Sequence, residues 1–157
     1  MQLILRVAVK PFVKKYIAQE YSVDPFVLTT TNKYGIFLYH CLSKPEKNVL
    51  RLVESNPVDM SLFTDTLEVM VTEGRWLNKG CIFTPESQMH FNKFVSYDFH
   101  QEFFKYVKNR VGAKGSINKA ILSFREMNGL SEDDLPFRTI QRAFQRRNEK
   151  IKSTLSA

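Results

Sequence analysis

The stretch Phe137-Arg138-Thr139-Ile140-Gln141-Arg142-Ala143-Phe144-Gln145-Arg146-Arg147 decides how this chain is read. Phe137, Ile140 and Phe144, followed by Ile151, recur every three or four residues or a multiple of that spacing. They form one inward stripe with the period of an α-helix rather than of a strand. Arg138, Arg142 and Arg146 form a second stripe at i, i+4 and i+8, with Gln141 and Gln145 beside it. Like charges stacked in this way cost roughly 0.2–0.5 kcal/mol per pair. No acid relieves them between Asp134 and Glu149. A helix selected only for folding would intersperse acids, so the face points to a polyanionic partner.

Upstream of this helix the signals stay helical. Pro136 suits its opening, and Ser131 can cap a short turn over Glu132 to Leu135, where Glu132, Asp133 and Asp134 favour the positive end of a helix dipole. Ser116 can cap a preceding helix whose inner face is Ile117, Ala120, Ile121 and Phe124, ended by Asn128-Gly129. Before it, Gly112-Ala113-Lys114-Gly115 is the best linker in the chain. Thr84-Pro85-Glu86 starts another helix, along which Phe91, Val95, Phe99, Phe103, Val107 and Val111 follow at intervals of four. A helix of that length is long for a small domain, so either it runs unbroken or it divides near Ser96-Tyr97-Asp98.

The first 83 residues mix periods. Leu3, Leu5, Val7 and Val9 alternate with Gln2, Arg6 and Lys10, which predicts a strand rather than a secretory signal. Pro11 with Phe12, Tyr16, Ile17 and Tyr21 predicts a helix over 11–21, ended by Asp24-Pro25. Aromatic and β-branched residues from Phe26 to Thr31 and from Tyr34 to Leu42, with Asn32-Lys33 between them, predict a hairpin. Lys47 to Glu54 fits helix or strand. Leu67 to Thr72 predicts a strand ending at Gly74, and Cys81 to Phe83 a short one. The expected class is therefore α+β: a mixed strand and helix domain over 1–83, a Phe-rich connecting helix or helices over 84–112, and a helical unit over 113–157.

The chain has 157 residues and a formal charge of +7. Residues 1–100 hold 11 Lys/Arg against 10 Asp/Glu, whereas residues 101–157 hold 12 against 6, so the surplus lies in the last third. Such an excess speaks of partners, here nucleic acid, rather than of fold. No apolar run approaches the roughly 18–20 residues of a membrane span. The only cysteines, Cys41 and Cys81, make no disulfide framework, which sets the cytoplasm as the expected compartment. His40, Cys41, Cys81 and His90 lack zinc-ligand spacing and read as ordinary buried cysteines and unrelated histidines, so no metal and no cofactor is expected. No phosphate loop, dinucleotide turn, zinc-protease or nucleophile-elbow motif occurs, and the expectation is a protein that is not an enzyme.

Residues 116–148, from Ser116-Ile117-Asn118-Lys119-Ala120-Ile121-Leu122-Ser123-Phe124 through Gly129-Leu130-Ser131 to Arg138-Thr139-Ile140-Gln141-Arg142-Ala143-Phe144, resemble a helix-turn-helix DNA-binding unit. The resemblance covers about a fifth of the chain. It implies that the second helix lies in the major groove, with Arg138, Thr139, Gln141, Arg142 and Gln145 facing DNA, while the first helix braces on the backbone. Arg suits guanine and Gln adenine, and the remaining arginines, Arg146 and Arg147, suit phosphates. Lys114 and the helix N-terminus at Ser116 suit a phosphate as well. The stretch from Gly129 to Pro136 is longer than the usual tight turn, so either a short middle helix fills it or the geometry differs. The glycines around Lys114 are also similar to the G-x-x-G loop of KH domains, but that fold needs a strand where the arginine-striped helix stands.

The resulting expectation is a DNA-binding protein, a regulator of transcription or an accessory factor of phage, plasmid or other mobile DNA. A homodimer is expected through the N-terminal region or the Phe-rich helix. Two other classes stay open: an interaction or structural module whose basic helix meets an acidic protein, and a single-strand or RNA binder that stacks bases on the aromatics of residues 91–106.

Overall fold

The computed structural model describes residues 1–22, 24–44, 58–112 and 115–156. They fold into the strands β1 (Gln2–Val9), β2 (Phe26–Val27) and β3 (Asp65–Thr72). The helices are α1 (Pro11–Tyr21), α2 (Lys33–Cys41), α3 (Glu73–Lys79), α4 (Pro85–Val111), α5 (Ile117–Met127) and α6 (Phe137–Leu155). The class is α+β. Two compact units are present, Met1–Ser96 and Tyr97–Ala157, dividing inside α4. Among the described residues no helix is long and apolar enough to cross a membrane.

In the N-terminal unit the strand order is β1-β3-β2. β1 runs antiparallel to β3 without a bulge, from Gln2↔Thr72 to Val9↔Asp65, and β2 runs parallel to β3. Alternation places Val7, Val9, Leu67, Val69 and Val71 on one buried face, while Gln2, Ile4 and Arg6 are exposed on the other. Phe12, Val13, Tyr16 and Ile17 of α1, Tyr34 and Leu38 of α2, and Phe91 and Val95 of α4 complete the buried set. Their rings meet edge to face, as in Tyr34 with Phe91 at 6.5 Å. The carboxamides of Gln88 and Asn92 continue the hydrogen bonding of β1. The Ala8 N–H donates to Gln88 Oε1 at 2.7 Å, the Lys10 N–H to Asn92 Oδ1 at 2.9 Å, and Asn92 Nδ2 to the Ala8 carbonyl at 2.9 Å.

Three local expectations are overturned. The hairpin over 26–42 does not form, because Asn32 is a helix cap rather than a turn residue. Its Oδ1 accepts from the Gly35 N–H at 2.7 Å, and Tyr34 and Leu38, four apart, are both fully buried on one helical face. The approach of α2 to the preceding chain also requires glycine, since a Cβ on Gly35 would stand 2.0 Å from the Thr29 carbonyl oxygen. The strand expected to reach Gly74 stops at Thr72, and α3 follows with Glu73 in its first turn and Gly80, at φ 104°, as its C-cap. Cys81 to Phe83 contributes only a bridge between Ile82 and Ser43. The segment Lys47 to Glu54 lies outside the described residues.

Of the two alternatives at Ser96-Tyr97-Asp98, the unbroken helix is the one present. α4 is continuous for 27 residues, about 40 Å at 1.5 Å per residue. Its stripe serves two cores in turn: Phe91 and Val95 are buried in the first unit, and Phe99, Phe103 and Val107 in the second. Val95 before the segment and Phe99 after it are fully buried, and Ser96-Tyr97-Asp98 between them has no proline or glycine to stop the helix.

Cys41 ends α2, and burial pushes its thiol up to about 11 from the ordinary 9.0. Because only the thiolate reacts, its alkylation at pH 8 is expected to be roughly a hundredfold slower than that of a free thiol, climbing steadily up to about pH 11. Mass spectrometry of a timed iodoacetamide reaction measures this. Labelling at the free-thiol rate would show that the fold does not shield the sulfur.

Candidate nucleic-acid interface

α5 begins where the sequence places it. Ser116 is the N-cap, its Oγ accepting from the Lys119 N–H at 3.5 Å, and the helix buries Ala120, Ile121 and Phe124. Ile117, expected inward, is 40% exposed because it occupies the first helical turn ahead of the buried positions. The helix closes in a Schellman motif: Gly129 takes φ 61°, its N–H donates to the Glu126 carbonyl at 3.1 Å, and the Leu130 N–H donates to the Arg125 carbonyl at 2.9 Å. Leu130 then turns into the core.

The long connection holds a hydrogen-bonded turn and no middle helix. Ser131 and Asp134 cap each other, with Ser131 N–H and Oγ donating to Asp134 Oδ2 at 2.7 and 2.6 Å. Glu132 performs two tasks. Its carboxylate accepts from the Phe137 N–H at 3.0 and 3.1 Å, capping α6, and from Arg125 Nη2 at 2.8 Å. Arg125 is only 8% exposed, so one of the basic residues counted in the C-terminal surplus is an internal fastener between α5 and the start of α6. A buried cation needs such a partner, because an unpaired one is strongly destabilising.

α6 is seated by Ile140 and Phe144, both buried. Phe144 meets Phe103 and Phe104 with ring centroids 6.1 and 5.2 Å apart, and Phe124 of α5 meets Phe99 and Phe103 at 5.5 and 5.3 Å. Ile151, expected inward, is 40% exposed, because the core filled by Ile140 and Phe144 ends before the last two turns of α6. On the opposite side Arg138, Thr139, Arg142, Gln145 and Arg146 are all exposed. Among the described residues no carboxylate pairs with Arg138, Arg142 or Arg146. Arg138 lies in the first turn, where the dipole disfavours a cation, and the first turn itself holds no acid; the Glu132 carboxylate at the Phe137 N–H is the charge that offsets the dipole there.

The remaining candidates divide. Gln141 is half-buried and its Nε2 donates to Asn118 Oδ1 at 2.9 Å, tying α6 to the first turn of α5. Arg147 is half-buried, donating to Gln101 Oε1 at 2.7 Å with its guanidinium 4.2 Å from the centre of the Phe104 ring. Ser116 is exposed at its cap, and Lys114 lies outside the described residues. The fold thus gathers Arg138, Thr139, Arg142, Gln145 and Arg146 onto one face, while Gln141 and Arg147 help to hold the helix in place. Sequence reading missed Asn118 and Arg125. The pairing of Arg125 with Glu132 had a signal, an acid just past a helix end facing a base inside it. Asn118 had none.

Comparison of the chain with protein-family models, with curated proteins and with solved structures finds no match.

Proposed function

We propose that this chain is a cytoplasmic protein that binds duplex DNA by laying the exposed face of α6 against it, with α5 as the brace. The observation that carries the reading is the row Arg138, Arg142 and Arg146, exposed, without an acid to neutralise it, on a helix whose other side is anchored by Ile140 and Phe144. A row of that kind is costly to keep on a helix for folding alone and suits a phosphate-lined groove. Arg142 and Gln145 can reach base edges from the middle of the face, and Arg146 suits a backbone phosphate. Regulation of transcription, or an accessory role on phage, plasmid or other mobile DNA, would use such a face.

Fluorescence anisotropy with a labelled duplex over a salt series tests the proposal. Binding is expected to tighten as salt falls. The double variant Arg142→Ala, Arg146→Ala is expected to weaken it at least about tenfold and, through the lost phosphate contact of Arg146, to flatten the salt slope by about 1. No binding at low salt, or unchanged binding by the double variant, would overturn it. Heparin or an acidic peptide competing as well as duplex DNA would favour the acidic-protein reading instead.

A further inference from the structure

We infer that the outer edge of β1 is a pairing surface for a second copy of this chain. Ala8 turns its N–H and C=O away from β3, to Gln88 and Asn92. Met70, opposite Ile4, gives its carbonyl to the Leu28 N–H on the far side of β3. Ile4↔Met70 is therefore a non-hydrogen-bonded pair, and by the two-residue period Gln2, Ile4 and Arg6 also point their N–H and C=O groups outward. Among the described residues these groups have no partner, and all three residues are exposed.

An edge of this kind is usually blunted by proline, a charged side chain, a bulge or a covering element. The register of β1 has no bulge, and Gln2-Leu3-Ile4-Leu5-Arg6-Val7 contains no proline; its one charge, Arg6, is drawn to Glu68 of β3 at 3.6 Å rather than standing alone on the edge. Among the described residues only the far end of the strand is covered, by Gln88 and Asn92. The open part is short and self-complementary. Paired antiparallel about Ile4, it sets Gln2 opposite the second copy's Arg6 and Ile4, 52% exposed, opposite its own counterpart, so no like charges meet. Charge favours the same choice of partner. With 11 basic against 10 acidic residues, the first hundred positions are almost neutral, so two copies of this +7 chain meet with least repulsion there.

Sedimentation equilibrium of the full chain, without nucleic acid, tests the inference independently of DNA binding. The wild type is expected to show a concentration-dependent dimer. Ile4→Lys, which puts two ammonium groups across the two-fold and leaves the β1–β3 ladder intact, is expected to raise the dissociation constant about tenfold or more with unchanged far-UV circular dichroism. In a Cys41→Ser, Cys81→Ser background, Ile4→Cys is expected to cross-link to itself under mild oxidation. Hydrogen-bonded antiparallel partners lie about 5.5 Å apart at Cα, within the disulfide range. Gln2→Cys is expected to cross-link only when mixed with Arg6→Cys. A chain that stays monomeric at every concentration overturns the inference and leaves the edge to a strand from another protein. So does a dimer indifferent to Ile4→Lys that fails to cross-link.

Discussion

Replacing Phe124 by alanine is expected to remove about 3–5 kcal/mol from the C-terminal unit, the usual cost of deleting a buried ring. Phe124 is 4% exposed, and its ring lies 5.5 Å from Phe99, 5.3 Å from Phe103 and 5.4 Å from Tyr106. It is the contribution of α5 to the aromatic cluster of the unit, so the cavity opens among Phe99, Phe103 and Tyr106 of α4 and loosens the floor beneath α6. A unit of some sixty residues has little stability in reserve, and a loss of this size takes most of it. Urea unfolding followed by circular dichroism measures the change. Phe124→Leu, which stays apolar and fills most of the volume, is expected to lose only about 1 kcal/mol. Duplex binding is expected to follow stability, retained by Phe124→Leu and lost by Phe124→Ala wherever the unit is unfolded. An alanine variant as stable as the wild type would show that the cluster does not hold the unit.

The second large effect lies in the N-terminal unit. Gly80 sits at φ 104°, ψ −175°, a conformation that is essentially reserved for glycine. A Cβ there would stand 2.0 Å from the Ser43 carbonyl oxygen and 2.2 Å from its carbonyl carbon. Gly80→Ala therefore incurs backbone strain of about 1–3 kcal/mol, and it also pushes apart the segments joined by the hydrogen bonds of Ser43 and Ile82 at 3.0 and 3.2 Å. A total loss of about 3 kcal/mol or more is expected. Gly74→Ala is the matching control: its Cβ would meet nothing within 4 Å, and its helical position predicts a gain of roughly 0.5–1 kcal/mol. Thermal unfolding of the two variants beside the wild type checks both signs. Equal melting of Gly80→Ala and Gly74→Ala would refute the account of this joint.

Where chemistry acts over a few residues, the sequence was legible. The alternation of Leu3, Leu5, Val7 and Val9 announced β1, Pro11 opened α1, Ser116 capped α5, and Gly129 closed it. The hairpin over 26–42 failed because two local signals competed. Aromatic and β-branched residues favoured strand, whereas Asn32 offered a cap and Tyr34 and Leu38 a helical face. The cap and the burial of both side chains at 0% exposure prevailed.

What the sequence determined by itself is therefore β1, α1, α5 and α6 with their starts and buried faces, together with the basic stripe of α6, but not α2 or α3. Periodicity, caps and charge spacing are all properties of a short stretch of chain. What only the tertiary structure decided is which of the basic and polar side chains remain available. Arg125 is held by Glu132, Arg147 by Gln101 and the Phe104 ring, and Gln141 by Asn118, while Arg138, Arg142 and Arg146 stand exposed. A charge count cannot separate these groups, because their partners come from other elements, and only folding brings those within hydrogen-bond distance.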